Sequence, residues 1–335
     1  MAKRYLVCGG CGFIGSNFVR LLTESEPEAQ ITVYDALTYA GALENLGGLQ
    51  QHRFMEFVRG DIADPEAVAA VIGKGYDLVV NFAAETHVDR SLYYTQQFVR
   101  TNIWGVEVLL SACREREIPL LQISTDEVYG AAAEGESFDE TAPLNPSSPY
   151  AASKAAADLL VLAAIKTFDQ RAAIVRTTNN YGPRQFPEKL IPYFLNLIRE
   201  GQPLPVYGDG QQRRCWLYVE DFCAGLLRLV RDFPAGEVVN IGADADYANL
   251  ETIQLLQKIA GADSAIKHVA DRPAHDRGYR IDSSKFERRY GTLKQRSLES
   301  GLAATVAWYR ENPAIFARLR KLDAAGFESR HYQAR

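Results

Sequence analysis

The chain has 335 residues and a mass of 37.3 kDa, with 47% hydrophobic, 24% charged and 10% aromatic residues, a composition too apolar for disorder. Thirty-seven Lys+Arg against 42 Asp+Glu give a net charge of −5, so the basic excess of a nucleic-acid binder is missing. No run approaches the roughly 18 apolar residues of a membrane span, the apolar stretch after Lys3 and Arg4 is too short for a signal peptide, and five cysteines make no disulfide framework; a soluble, cytoplasmic chain of about two domains is expected.

In chain order, Tyr5–Cys8, Ile31–Asp35, Phe54–Val58, Asp77–Phe82, Leu120–Ser124 and Ala172–Arg176 read as strands. Most are apolar at consecutive positions, as in strands buried on both faces of a parallel sheet. Helical patterns lie between them at Ile14–Thr23, Pro65–Ile72, Thr95–Glu115 and Tyr150–Phe168, the last preceded by an N-cap Ser148 and by Pro149 at its first position. The alternation predicts an α/β fold, a doubly wound parallel sheet of the Rossmann kind over residues 1–180. Beyond Tyr181 prolines and glycines multiply, and helices are expected at Lys189–Glu200, Asp221–Arg231, Leu250–Ala260 and Leu298–Glu311. Residues 181–335 are read mostly as a smaller substrate-binding lobe, able to lend a strand or helix back to the first domain, with the substrate site between the two.

The first strand runs into Gly9-Gly10-Cys11-Gly12-Phe13-Ile14-Gly15 and then a helix. In this G-x-x-G-x-x-G spacing Gly9 permits the turn, Gly12 lets a pyrophosphate approach the backbone and Gly15 lets the helix pack on the strand. Asp35 ends the second strand, where a carboxylate accepts hydrogen bonds from an adenosine ribose and repels a 2′-phosphate. Ala36 follows, with no Arg to receive that phosphate, so NAD is favoured over NADP. Asp61-Ile62 after the third strand can flank the adenine, although an Asp there also serves as a turn residue. Cys8 and Cys11 form a C-x-x-C, but no second pair or histidine stands at ligand spacing; they read as small packing residues, and no metal is expected.

The fifth strand ends in Ser124-Thr125-Asp126-Glu127, at the sheet edge where ligands of open parallel sheets bind. Tyr150 and Lys154, four residues apart, share one helix face. An ammonium beside a phenol favours the phenolate, the base needed to deprotonate an alcohol as its carbon gives up hydride, and Thr125 can hydrogen-bond the same alcohol oxygen. Singly, Tyr-x-x-x-Lys is an ordinary solvated helix face; with the glycine loop, Asp35 and Thr125 it resembles the extended short-chain dehydrogenase/reductase superfamily. Two further carboxylates are unnecessary for oxidation alone. They suit an elimination, in which one group takes a proton next to a carbonyl and the other protonates a departing hydroxyl.

Over about residues 4–312 the chain resembles the dTDP-glucose 4,6-dehydratase family, through GGCGFIGS, YDALTYAGALENL, GDI, NFAAETHVDRS, STDEVYG, SPYAASKAAAD, RTTNNYGPRQFPEKLIP, PVYGDG, WLYVED and DRPAHDR. The resemblance implies a redox-neutral reaction with NAD retained: oxidation at glucose C4, loss of water across C5–C6 and hydride return to C6. It implies catalytic roles for Thr125, Asp126, Glu127, Tyr150 and Lys154. Cofactor contacts would fall on Phe13, Ile14, Asp35, Ala36, Leu37, Thr38, Asp61, Ile62, Phe82, Ala83, Ala84, Glu85, Thr86, Thr101, Tyr150, Lys154 and Asn180, beside Gly9, Gly12 and Gly15. Substrate contacts would fall on Thr86, Thr125, Asn179, Lys189, Leu190, Pro205, Val206, Tyr207, Arg214, Asn249, Asp271, Arg272, Pro273, Ala274 and His275. It also implies a homodimer built on the helices near Thr95–Glu115 and Tyr150–Phe168.

The chain departs from the family pattern at Arg184, where Tyr is usual, at Cys215, where Asp is usual, and at Phe222 and Gly278. These positions touch or flank the substrate lobe, so the nucleotide and sugar are less fixed than the reaction type. Alternatives are a related 5,6-dehydratase, epimerase or decarboxylase. A non-catalytic NAD-sensing protein on the same fold would be expected to lose Tyr150 and Lys154.

Overall fold

The computed structural model describes residues 2–318 apart from 272 and 274. Its strands, in chain order, are β1 (Arg4–Cys8), β2 (Gln30–Asp35), β3 (Met55–Arg59), β4 (Leu78–Asn81), β5 (Leu120–Thr125), β6 (Ala172–Thr177), β7 (Asn179–Tyr181), β8 (Leu204–Tyr207), β9 (Arg213–Tyr218), β10 (Val238–Ile241), β11 (Asp246–Ala248) and β12 (Ile266–Val269). The helices are α1 (Phe13–Ser25), α2 (Pro65–Ile72), α3 (Val88–Ser91), α4 (Thr95–Phe98), α5 (Gly105–Glu115), α6 (Pro149–Phe168), α7 (Leu190–Arg199), α8 (Val219–Arg231), α9 (Asn249–Ala260), α10 (Ser284–Tyr290) and α11 (Leu298–Glu311).

Seven parallel strands form one sheet in the order β10-β6-β5-β4-β1-β2-β3. Crossover helices bury it on both faces, which is why β4, β5 and β6 carry no exposed residue. The strand order reverses direction on either side of β1, and the ligand crevice of such a sheet lies at that switch, at the carboxyl ends of β1 and β4. All six strands expected from the first half are present, each within a residue or two. The seventh, β10, comes from the chain's second half: Val-Val-Asn-Ile pairs with β6 from Val238↔Ile174 to Ile241↔Thr177. Helix α8 packs on α1, and its Phe222, Leu226 and Leu229 join the core cluster that holds Val7 and Val33. A separate apolar cluster, including Phe194, Leu204, Leu256 and Leu302, organises β7–β9, α7, α9 and α11 beside the sheet.

The pattern over Thr95–Glu115 predicts one uniform helix; the structure instead inserts a wide π-type stretch, Val99–Trp104, between α4 and α5. Gly105 ends it where a Cβ would lie 2.7 Å from the Ile62 side chain, so the helix crosses the loop after β3 at close range. Helix α6 starts as its sequence predicts: the Ser148 hydroxyl accepts the Ala151 N–H at 3.1 Å and Pro149 takes the first position. No helix of the described residues is long and apolar enough to cross a membrane.

Candidate active site

Two cavities open at the carboxyl edge of the sheet. The larger, about 480 Å³, is lined by Gly9 and Gly12, by Asp35, Ala36 and Thr38, by Asp61 and Ile62, by Phe82 to Glu85, and by Thr101. Gly9 turns at φ +73, with its Cα so close to β4 that a Cβ would meet Ala83 N at 2.5 Å. Gly12 is the N-cap of α1 and offers no side chain to the first helical N–H groups, which leaves them to an anionic ligand. Asp35 is buried: its Oδ2 accepts the Cys11 N–H at 2.9 Å and its Oδ1 the Leu37 N–H at 2.8 Å. Burial raises its carboxyl while those two N–H groups pull it back down. Asp61 accepts from Arg100 at 2.5 Å and from the Ala63 N–H at 2.9 Å. The free N–H donors of a glycine-rich turn and an uncapped helix start, with a carboxylate acceptor at the end of β2, are what a dinucleotide requires, and NAD fits them. Phe13, Ile14 and Gly15, at the start of α1, and Leu37, in the loop after β2, do not line the cavity.

The second cavity, about 200 Å³, lies between the sheet and the smaller cluster. Thr86, Asn179, Asn180, Lys189, Leu190, Pro205, Val206, Tyr207, Arg214, Asn249 and His275 line it, as does Glu127. The buried Oδ1 atoms of Asn179, Asn180 and Asn249 have no hydrogen-bond partner among the described residues, which marks acceptors left for a ligand. Lys189 donates to the Thr86 carbonyl at 2.6 Å, and Arg214 donates to the Arg213 and Asp276 carbonyls at 2.7 and 3.2 Å while lying 4.6 Å over the Tyr279 ring. Asp271 and Pro273 do not line it; Asp271 accepts instead from Gln212 at 2.9 Å and meets His275 Nδ1 at 2.6 Å. Arg272 and Ala274 lie outside the described residues. Cys215 is buried against the Tyr279 carbonyl, Sγ to O 3.4 Å.

Sequence reasoning missed the joint between the cavities. Tyr39, on the dinucleotide side, donates to Glu188 Oε1 at 2.9 Å, and Glu188 Oε2 lies 3.8 Å from His87 Nε2 on the other. Burial pushes the Glu188 carboxyl up to about 7. Tyr39 and Glu188 are 149 positions apart, and only the fold pairs them.

The reacting groups sit where β5 ends. Thr125 caps a single 3₁₀ turn, Asp126–Tyr129, by accepting the Glu127 N–H at 3.3 Å, and it donates to Asp126 Oδ1 at 3.1 Å. Asp126 Oδ2 is buried with no hydrogen-bond partner among the described residues. Burial first, then the neighbouring Glu127 charge, pushes Asp126 up to about 7. Tyr150 and Lys154 are both buried on α6, and Lys154 Nζ donates to the Ile123 carbonyl at 2.7 Å. Spacing alone predicts a phenol lowered by Lys154. In the structure burial and then the Glu127 charge raise Tyr150, and burial lowers Lys154 to about 8. All five cysteines are buried and free, and among the described residues no group of three or more His, Cys, Asp or Glu is placed to hold a metal.

This is the arrangement of a dinucleotide-dependent enzyme acting on an alcohol. The sequence matches the NAD dependent epimerase/dehydratase family over residues 5–242, and the chain belongs to that family. It is 45% identical over 328 residues to a dTDP-glucose 4,6-dehydratase from Streptomyces niveus, covering 96% of this chain and 97% of the relative. It is 48% identical over 306 residues to the low-salt glycan biosynthesis protein Agl12 of Haloferax volcanii, covering 91% and 97%. Among solved structures it superposes on DesIV, the dTDP-glucose 4,6-dehydratase of Streptomyces venezuelae with NAD bound, at a TM-score of 0.89 and 43% identity over 93% of this chain and 98% of that one.

Proposed function

We propose that the protein is an NAD-dependent nucleotide-sugar 4,6-dehydratase that converts dTDP-glucose to the 4-keto-6-deoxy sugar nucleotide. The observation that carries this reading is the buried acid pair: Asp126, held near neutral pKa, stands beside Glu127, which lines the second cavity, with Tyr150 close to both.

Bound NAD supplies the hydride acceptor for oxidation at C4 and the donor for reduction at C6. Gly9, Gly12 and the start of α1 hold its diphosphate, and Asp35 its adenosine ribose. Tyr150 takes the proton of the 4-hydroxyl, with Thr125 hydrogen-bonding the same oxygen. The Lys154 ammonium offsets the burial that otherwise keeps the phenol neutral. The 4-keto group acidifies C5–H, and the Glu127 carboxylate removes that proton. Asp126, protonated, donates to the C6 hydroxyl, so the C6–O bond breaks and water leaves. Reprotonation at C5 accompanies hydride return and completes the balance: one water lost and no net oxidation. Lys189, Arg214 and His275 offer donors to the nucleoside diphosphate.

The exposed apolar side chains Tyr93, Val99, Trp104, Leu159 and Phe168 all lie on α6 or in the segment between α3 and α5, which supports a homodimer joined through these helices. Five free thiols suit a reducing, cytoplasmic compartment.

The test is dTDP-glucose deuterated at C4. Loss of one water with deuterium recovered at C6 is expected. Water loss without deuterium at C6 would indicate a 5,6-dehydratase, and epimerised product without water loss would remove the acid pair from the mechanism.

A further inference from the structure

Behind the reacting groups lies a buried chain of charges that the steps above do not use. Asp158, four residues after Lys154 on α6, is fully buried, and its Oδ2 accepts from Arg176 Nε of β6 at 2.8 Å. Arg176 is 2% exposed, and its Nη1 donates to the Tyr129 hydroxyl at 2.7 Å with the guanidinium 4.7 Å over the Tyr129 ring. The Tyr129 hydroxyl in turn donates to Asn240 Oδ1 of β10 at 3.0 Å. The Ser124 hydroxyl lies beside Asp158 on the β5 side. One guanidinium therefore joins the helix of Tyr150 and Lys154 to the turn of Asp126 and Glu127.

A buried ion pair is a poor device for stability alone, since apolar residues of the same size do as well. Its placement gives it another use. An ammonium out of water reverts to the amine unless an anion is close, and neutral Lys154 no longer favours the Tyr150 phenolate. Around Lys154, α6 carries Tyr150 and Asp158, the turn after β5 carries Asp126, Glu127 and Tyr129, and β6 carries Arg176. The helical segments packed on α6 add Asp89, Arg90, Arg100, Glu107, Arg114 and Glu115. Of all these, Asp158, buried one helical turn from Lys154 on α6, is the charge that counters the burial of Lys154, although it also raises the Tyr150 phenol directly.

Resting on the dehydratase reading, we propose that Asp158 is a positioning residue that keeps Lys154 an ammonium, and that Arg176 keeps Asp158 a carboxylate and fixes its place. Asp158 touches neither substrate nor cofactor; it acts through Lys154. Two functions follow from one clasp: the charge state of the oxidising pair, and its register with the eliminating pair through Tyr129.

The experiment is the pH profile of NADH formation with dTDP-glucose in the purified holoenzyme and in Asp158→Asn. The alkaline limb, where Lys154 loses its proton, should move to lower pH by about one unit, which is roughly a tenfold loss of rate on that limb. KM for dTDP-glucose should hold. Because Asp158→Asn leaves a buried guanidinium unpaired, Asp158→Asn/Arg176→Met is measured beside it; with both charges gone the limb should move the same way by less. A wild-type limb in a folded, NAD-loaded variant overturns the proposal. Failure of the unsubstituted protein to turn over dTDP-glucose would instead count against the dehydratase reading.

Discussion

The Thr125 hydroxyl holds Asp126 and Glu127 at once, donating to the Asp126 carboxylate at 3.1 Å and accepting the Glu127 N–H at 3.3 Å. A side chain that ends a strand, caps a turn and faces the Tyr150 phenol links local structure to chemistry in one residue. Thr125→Ser keeps the hydroxyl and should turn over near the wild-type rate. Thr125→Val keeps the shape and should lose about 1 kcal/mol of stability with the cap and about 100-fold in kcat. Thermal melts and steady-state kinetics on the pair separate the effects; equal kcat in the two variants would remove Thr125 from the reaction.

Asp126 gives a pH dependence with a defined sign. Its carboxyl in the folded chain lies at about 7, against about 4 when unfolded. Below pH about 7 it carries the proton that elimination needs, so dehydration should fall as pH rises through that value while the first oxidation persists, and bound NADH should accumulate. The same shift makes the folded state bind its proton more tightly than the unfolded one, so native stability contributed by this group is lost between pH about 4 and about 7. Asp126→Asn should therefore melt roughly 4–8 °C higher than wild type at pH 8 and no higher at pH 4, while eliminating water about 100-fold more slowly. An unchanged pH profile of dehydration would put the departing hydroxyl in other hands.

The glycine loop separates folding from binding. A Cβ on Gly15 would lie 2.3 Å from the Gly9 carbonyl and 2.9 Å from Gly10 Cα, both backbone in a fixed turn. Gly15→Ala should cost at least about 1–3 kcal/mol and lower soluble yield. At Gly12 the nearest atom is the Gly9 carbonyl at 3.2 Å and the remaining direction is the cavity. Gly12→Ala should fold with a loss of about 1 kcal/mol and purify without NAD. Absorbance of bound dinucleotide and a melting curve read the two outcomes; Gly12→Ala with full NAD content would place the diphosphate elsewhere.

Sequence spacing carries the part of this site that is local. Tyr150 and Lys154 lie one helical turn apart, Thr125, Asp126 and Glu127 are consecutive, and the glycines and Asp35 close a single β-α-β unit, so residue type and interval suffice. Arg176 is invisible by the same logic: inside an apolar strand a single Arg reads as a boundary, and its partners Asp158, Tyr129 and Asn240 come from three other elements. Strand β10 was legible in principle, four residues between Gly236 and Gly242, yet the helix-strand alternation that identifies its neighbours has already lapsed there. The joint of Tyr39 with Glu188 needs the fold, because nothing local to either residue announces a partner 149 positions away.

Tyr129 offers a way to loosen the eliminating turn without touching its carboxylates. Its ring stacks on Phe138 with centroids 5.5 Å apart, and its hydroxyl oxygen accepts from Arg176 Nη1 at 2.7 Å. Tyr129→Phe keeps the ring and strands the Arg176 donor, at a cost of about 1–3 kcal/mol. The turn then keeps the Thr125 cap, the Asn145 N–H on the Val128 carbonyl and the Phe138 stack but loses its tie to Arg176, whereas Lys154 stays anchored by the Ile123 carbonyl. In a single turnover NADH should therefore form at near the wild-type rate and decay about tenfold more slowly, since small displacements of the acid and base weigh heavily on proton transfer. Equal slowing of both phases would mean that Arg176 braces the helix and the turn as one body, and no change in either would mean that the turn holds its place without it.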